Sequence, residues 1–261
     1  MSKLEQSLAL QTLGDARVAV ADPEYEANTG MFGGWTAALL LKAVLDHPES
    51  AGDASAFTVN FVARVVPGEQ LLIRPTKLGE SKSLSHWRAD LHRSDGEELL
   101  ASGSAVLALR RVSESAMDFR APVAPLPDEL PASNPPGAFG RRTDTRPVYG
   151  HPPFGREDLR SLTWVRENSG RQMDAVQLAY LSDVYAPRAF HISEGPRPSS
   201  TLTMTTYFLA APEEITAVAD DYVLSEAEGT RIEHSLAGSR SCLWSRTGTL
   251  LATTEQLCWF K

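Results

Sequence analysis

The sequence predicts an α+β fold made of two similar units, in each of which an antiparallel sheet wraps a long buried helix. The first observation is an apolar run that starts at Gly33 and Gly34 and has no charged residue before Lys42. The second is the series of strand-like runs, joined by short turns, that follows it. The third is that one helix and about four strands recur after residue 160, which indicates an internal duplication. A helix that is apolar all round must be covered on every side, and a curved antiparallel sheet can cover it.

The elements of the first unit follow from the hydrophobic pattern. Residues 1–14 predict a short leading helix and residues 17–21 a weak first strand. The central helix is predicted from about residue 34 to residue 47, because apolar residues recur at helical spacing and no proline precedes Pro48. Strands are then predicted over residues 57–65, 71–74, 84–93 and 99–109, with turns at Pro67-Gly68 and Asp95-Gly96.

A proline-rich segment separates the two units. Nine prolines fall between residues 112 and 159, where no apolar period is found. The sequence therefore predicts an N-terminal domain over residues 1–111, an extended surface linker over 112–159 and a C-terminal domain over 160–261.

The second unit repeats the order of the first. A helix is predicted over residues 173–183, ending before Pro187. Strands are predicted over residues 201–209, 222–224, 231–245 and 249–260, with a turn at Thr247-Gly248. We expect the facing sides of both helices to be buried, namely Ala38, Leu41, Leu45, Leu178 and Leu181.

Composition narrows the classes of partner. The 261 residues carry a formal net charge of −8, which argues against nucleic acid or an anionic membrane as a partner. No secretory leader or run of about 18 apolar residues is evident, so no membrane span is expected. The chain has only two cysteines, Cys242 and Cys258, which argues against a disulfide framework or a cysteine-rich zinc site and favours a reducing cytoplasm.

The glycine pair suggests a binding role at the start of the first helix. Gly33 and Gly34 leave the first backbone N–H groups uncovered, so a ligand oxygen could approach the positive end of the helix dipole. The alternative is a core helix whose glycines only relieve crowding.

Three short motifs make the sequence resemble a known family. They lie at residues 31–34, 178–183 and 251–256. Their order and spacing resemble the double hotdog proteins and, among these, acyl-CoA thioesterase II and its relatives. The resemblance covers residues 15–111 and 160–261. It implies a tandem double hotdog with two long central helices, each wrapped by an antiparallel sheet.

The resemblance also implies a set of catalytic residues. Enzymes of this type hydrolyse acyl-CoA with an Asp, a Thr and a Gln of the second half, which together hold a water. By motif these fall on Asp183, Thr201 and Gln256. The family usually has an acidic residue two positions after the threonine, where this chain has Thr203.

The same residues can be weighed without the family. Asp183 ends an apolar helix, where it opposes the helix dipole and its desolvation would raise its pKa towards that of a useful base; the alternative is a solvated acid. Gln256 could both donate to a water and accept from it, or it could lie on the wet face of a sheet. Thr201 shares its predicted strand face with Thr203 and Thr205, and threonine stripes are common in strands.

No other chemistry competes with this interpretation. His86 and His92 share a strand face, but no third metal ligand suggests itself, so no metal site is predicted. Nucleotide-binding and serine-nucleophile motifs are not found.

The sequence analysis thus predicts a hydrolase that cleaves acyl-CoA to free acid and CoA, with Asp183 as the base and no cofactor. Its partner is a small-molecule acyl-CoA. The alternatives are a non-catalytic acyl-binding module, which the fold alone does not distinguish, and a dehydratase, which would need a histidine that the first helix lacks before His47. Exposed sheet edges could pair two chains, so the sequence leaves open whether the protein forms a homo-oligomer.

Overall fold

The structure is a computed structural model and describes residues 1–95 and 97–261. Gly96, half of the predicted Asp95-Gly96 turn, lies outside the described residues. The helices are α1 (Lys3–Ser7), α2 (Gly33–Leu45), α3 (Ala175–Leu181), α4 (Arg188–His191) and α5 (Pro212–Thr216). Three further short segments are 3₁₀-helices, at Pro23–Tyr25, Pro127–Glu129 and Phe139–Arg141.

The strands of the N-terminal half are β1 (Gln11–Leu13), β2 (Ala16–Val20), β3 (Glu26–Ala27), β4 (Gly30–Met31), β5 (Asp53–Phe61), β6 (Gln70–Glu80), β7 (Leu84–Arg93) and β8 (Leu99–Ala108). Those that follow are β9 (Thr143–Tyr149), β10 (Arg160–Glu167), β11 (Ser199–Phe208), β12 (Val223–Glu233), β13 (Leu236–Ser245) and β14 (Leu250–Phe260).

One large antiparallel sheet runs through both halves. Its twelve strands lie in the order β1-β2-β6-β7-β8-β5-β11-β14-β13-β12-β10-β9, and β3 and β4 form a separate small hairpin. The halves join where β5 pairs with β11. At the middle of this junction Thr58 lies opposite Thr205, and their hydroxyl oxygens are 3.0 Å apart. Strands in the same order on each side of the junction bear out the predicted duplication.

Helix α2 lies at the centre of the core. Its 13 residues are buried on nearly every side, including Ala38 and Leu41, while Leu45 at its end is only partly buried. The side chain of Trp35 donates a hydrogen bond to Ser7 of α1, 2.7 Å away. The N-cap residue Phe32 has no side-chain oxygen, so α2 receives no cap from its own segment.

Helix α3 is shorter than the sequence predicts. The expectation of two long central helices is wrong for the second, since α3 has 7 residues. Asp174 is extended and caps the helix by accepting from the Gln177 N–H, so the helix cannot start before residue 175. Leu178 and Leu181 are buried as expected, and α3 packs against α2.

The proline-rich segment contains a strand that the sequence pattern hides. Residues 112–120 are exposed and belong to no helix or strand, but Thr143–Tyr149 forms β9 and pairs with β10 at the edge of the sheet. Pro147 is tolerated there because an edge strand needs to donate hydrogen bonds on one side only.

Two β-bulges lie at equivalent places in the two halves. In β5 the pairing with β8 shifts between Ala54 and Ala56, and in β11 the pairing with β14 shifts between Thr201 and Thr203. A bulge inserts one residue and reverses the face on which the preceding side chains lie. Among the residues described, no helix has the length and hydropathy needed to cross a membrane.

Candidate active site

Asp183 lies at the contact between the two halves. It follows the C-cap of α3, Ser182, and its carboxylate turns towards the start of α2. The backbone N–H of Gly34 donates to Asp183 Oδ2 over 2.9 Å. The carboxylate therefore faces the positive end of the α2 dipole. From the sequence we considered only the dipole of α3, which the acid opposes. The favourable interaction with the dipole of α2 was missed.

Gln256 holds the second oxygen of the same carboxylate. Its side-chain Nε2 donates to Asp183 Oδ1 over 2.8 Å and also lies 3.3 Å from Met204 Sδ. Met204 is the cross-strand partner of Gln256, so both side chains lie on the inner face of the sheet. Gln256 is buried, which excludes the wet sheet face considered above.

Thr201 lies on the same inner face because of the bulge in β11. Thr201 is opposite Cys258, whereas Thr203 is opposite Leu257, so these two threonines point to opposite sides of the sheet. The prediction that Thr201, Thr203 and Thr205 share one face is therefore wrong. The Thr201 hydroxyl is 3.6 Å from Cys258 Sγ and makes no direct hydrogen bond to Asp183 or Gln256.

The two glycines allow the carboxylate and the helices to come this close. A Cβ atom on Gly33 would lie 2.7 Å from Asp183 Oδ2, and one on Gly34 would lie 2.3 Å from the carbonyl oxygen of Tyr180. The oxygen that approaches the helix N-terminus is thus a protein carboxylate. It occupies the Gly34 N–H, while the N–H of Gly33 has no acceptor among the described residues.

Burial sets the acidity of this carboxylate. Desolvation raises the pKa of Asp183 to about 6, although the hydrogen bonds from Gln256 and Gly34 favour its charged form and lower the pKa. Asp183 is nevertheless ionised at neutral pH while remaining basic enough to accept a proton. Part of its surface stays exposed, and so does part of Thr201, so the site is open to solvent at this point.

Sequence reasoning missed further residues of the site wall. Cys258 follows Gln256 by two residues and shares its strand face, and its Sγ lies 3.8 Å from Gln256 Oε1. Tyr185 follows Asp183 by two residues, and its hydroxyl lies 3.0 Å from that of Ser239, the other cross-strand partner of Gln256. The two-residue spacing could have indicated Cys258, because alternate residues of a strand share a face.

The residues of the site are not a metal-binding set. Within residues 1–95 and 97–261, no cluster of three or more His, Cys, Asp or Glu side chains is arranged to hold a metal ion. The proposed site has one carboxylate, one amide, one hydroxyl and one thiol, a set that suits holding a water.

The fold and the site define a protein of the hotdog class, in which a buried helix is wrapped by an antiparallel sheet. The chain belongs to the acyl-CoA thioesterase family. Residues 21–108 match the family profile described as the acyl-CoA thioesterase N-terminal domain, and residues 120–260 match the one described as the C-terminal domain. None of the curated proteins compared with the chain matches it.

Solved structures show the same architecture over the full length. A conserved protein of unknown function with a hot dog fold from Alicyclobacillus acidocaldarius is 30% identical, with a TM-score of 0.95; the match covers 100% of this chain and 98% of that one. The tesB protein of Mycobacterium avium subspecies paratuberculosis is 21% identical, with a TM-score of 0.80 and coverage of 99% and 98%. Acyl-CoA thioesterase II TesB2 from Mycobacterium marinum is 18% identical, with a TM-score of 0.79 and coverage of 99% and 96%.

Proposed function

We propose that this protein hydrolyses acyl-CoA thioesters and that Asp183 is the general base. The observation that carries the proposal is the Asp183 carboxylate, which is held between the Gly34 N–H and the Gln256 amide and has a pKa of about 6. A carboxylate in that range can take a proton from water at neutral pH. Membership of the acyl-CoA thioesterase family supports the choice of substrate class.

The proposed reaction needs water and the residues of the site only. Asp183 removes a proton from a water that Gln256 and Thr201 orient. The resulting hydroxide attacks the thioester carbonyl carbon, the carbon–sulfur bond breaks, and the CoA thiolate leaves and takes up the proton. The products are a free carboxylic acid and CoA, so atoms and charge balance without a metal or redox cofactor.

The hydrogen bond between Gly34 and Asp183 changes which groups we propose for stabilising the developing oxyanion. The sequence suggested the N–H groups of both Gly33 and Gly34, but the Gly34 N–H already donates to Asp183. We assign the thioester carbonyl to the N–H of Gly33, which lies at the positive end of α2. The acid and the glycines come from different halves, so we place the site where the predicted domains 1–111 and 160–261 meet.

One assay tests the proposal against a non-catalytic acyl-binding module. Free thiol released from a panel of acyl-CoA thioesters would be measured for the wild type and for Asp183→Asn. We expect turnover for the wild type and a loss of about 10²–10⁴ in kcat for the variant, since the base is removed while the shape is kept. If the wild type bound acyl-CoA but released no thiol, the hydrolase proposal would be rejected in favour of an acyl-binding module.

A further inference from the structure

We propose that Cys258 is a positioning residue of this site, whose thiol donates to the side-chain carbonyl of Gln256 and so keeps the amide NH₂ turned towards Asp183. The kinetic consequence of this role rests on the proposed function, whereas the orientation of the amide can be tested without it.

The amide of Gln256 is held at both ends. A carboxamide can turn by 180° and exchange its oxygen with its NH₂ group, so its orientation depends on the partners at each end. Here Nε2 is 2.8 Å from Asp183 Oδ1, and Oε1 is 3.8 Å from Cys258 Sγ. The reversed amide would present its oxygen to a carboxylate and its NH₂ to a thiol, so two acceptors would meet.

The thiol is in the correct protonation state to act as the donor. Burial raises the pKa of Cys258 to about 11, so the group is S–H at neutral pH. It is therefore a poor nucleophile, which separates this role from covalent catalysis. The Thr201 hydroxyl lies 3.6 Å from the same sulfur, so Cys258 is the group that connects Thr201 to Gln256.

The duplicated half supplies an independent comparison. When the two bulges are aligned, the registers of β5 with β8 and of β11 with β14 relate each inner-face position of one half to one of the other. Ala54, Ala105 and Leu107 then stand where the second half has Thr201, Gln256 and Cys258. All three positions are aliphatic in one half and polar in the other. In the first half, which has no polar group at these positions, Leu107 fills the place of Cys258. The thiol of Cys258 therefore occurs together with the polar side chains of Thr201 and Gln256.

The test compares variants that differ in one group. Cys258→Ala and Cys258→Ser have nearly equal side-chain volumes, but only serine keeps a donor. Cys258→Val removes the donor without leaving a cavity and covers the case in which the alanine variant folds poorly. Cys242→Ala is the control, because Cys242 lies on another strand and packs in a separate cluster. Carboxyl ¹³C NMR would give the pKa of Asp183, and kcat and KM would be measured across pH.

We expect Cys258→Ala and Cys258→Val to release the amide and weaken its hydrogen bond to Asp183. The pKa of Asp183 should then rise, and kcat should fall about 3- to 10-fold, the size of one hydrogen bond, with KM unchanged. Cys258→Ser should restore most of both values, and Cys242→Ala should match the wild type.

Two results would overturn the role of the thiol: an unchanged Asp183 pKa and kcat in both apolar variants, or a serine variant as impaired as alanine. A third result separates the two proposals. If no form of the protein hydrolyses acyl-CoA, yet the pKa rises in Cys258→Val and returns in Cys258→Ser, the positioning role stands and the hydrolase fails.

Discussion

Asp183 accepts a hydrogen bond of 2.9 Å from the backbone N–H of Gly34, so an acid of the C-terminal half caps the central helix of the N-terminal half. The N-cap residue of that helix, Phe32, has no side-chain oxygen that could accept from the first N–H groups. A negative charge at a helix N-terminus is stabilised by the dipole. The proposed catalytic base thus also joins the two halves, and changes at this point should affect both activity and stability.

The two glycines should respond differently to alanine. In Gly34→Ala the new Cβ would meet the Tyr180 carbonyl at 2.3 Å, and a backbone atom cannot easily move away. We expect a loss of roughly 3 kcal/mol or more in unfolding free energy, measured by denaturant titration. In Gly33→Ala the clash is with Asp183 Oδ2, the end of a side chain, so activity should fall more than stability.

Gly195→Ala is the control for this pair, because a Cβ there would meet no atom within 4 Å. Equal stability of Gly34→Ala and Gly195→Ala would contradict the close approach of α2 and α3.

The rate should depend on pH through Asp183. Its pKa of about 6 means that the carboxylate is protonated, and unable to act as a base, below that pH. We therefore expect kcat/KM to rise with pH and level off above about pH 7, with an apparent pKa near 6. The neighbouring Tyr180, Tyr185 and Cys258 stay protonated through this range, because burial raises the pKa of each. A flat profile between pH 5 and 8 would exclude Asp183 as the base.

Removing the charge of Asp183 should stabilise the fold at neutral pH. The pKa of this group is raised in the folded protein, so the unfolded chain loses its proton first as the pH rises. The contribution of Asp183 to the unfolding free energy is therefore most favourable below about pH 4 and decreases as the pH rises towards 6. A pKa difference of roughly 2 corresponds to about 3 kcal/mol.

Asp183→Asn avoids this cost but replaces one acceptor oxygen of the carboxylate with an NH₂ group, so it keeps at most one of the hydrogen bonds from Gly34 and Gln256 in its present direction. We expect a net gain of about 1–2 kcal/mol at pH 7.5 and little or none at pH 4. Thermal unfolding at the two pH values measures it. A variant that is less stable than the wild type at pH 7.5 would show that the cap to Gly34 outweighs the desolvation of the charge.

The bulge in β11 makes opposite predictions for two threonines. Thr201→Val removes a hydroxyl from the inner face and should lower kcat about 10-fold, whereas Thr203→Val, on the other face, should leave kcat nearly unchanged.

Gln256→Ala should lower kcat about 10- to 100-fold, which is less than the effect of Asp183→Asn, since Gln256 orients the water without taking its proton. If Thr201→Val lowered kcat more than the other variants, a covalent acyl-threonine intermediate would become the better hypothesis. Mass spectrometry of the intact protein would then be used to look for the acyl adduct.

Much of the fold follows from local patterns that tertiary structure does not override. Strand β7 spans the predicted residues, and Gly248 supplies the left-handed φ of 88° that the predicted turn requires. The sequence pattern predicts one strand over residues 231–245, but a hairpin turn at His234 and Ser235, with φ of 52° and 60°, divides this stretch between β12 and β13. No glycine, asparagine or proline marks that turn, so residue type could not reveal it.

The site shows a similar division between what is local and what is not. The sequence predicts that Asp183, Thr201 and Gln256 converge. Asp183 and Gln256 lie in hydrogen-bond contact, whereas the hydroxyl of Thr201 contacts Cys258 and neither of the other two. The face of Thr201 could not be predicted, because it depends on one inserted residue, Leu202, whose presence in the strand has no periodic signal. Nor could the partner of Asp183 be foreseen from its own helix, because the N–H group that it binds belongs to the other half of the chain.

The junction of β5 with β11 has a consequence for how the chain could be divided. The halves share a sheet, and the Asp183–Gly34 hydrogen bond adds a further link, while residues 112–120 between them are exposed and belong to no helix or strand. The two halves are thus held together by their shared sheet and by this hydrogen bond rather than by the peptide bonds of residues 112–120. A gene split at this point would encode two polypeptides that still complement each other, and neither product alone would carry the whole of the site.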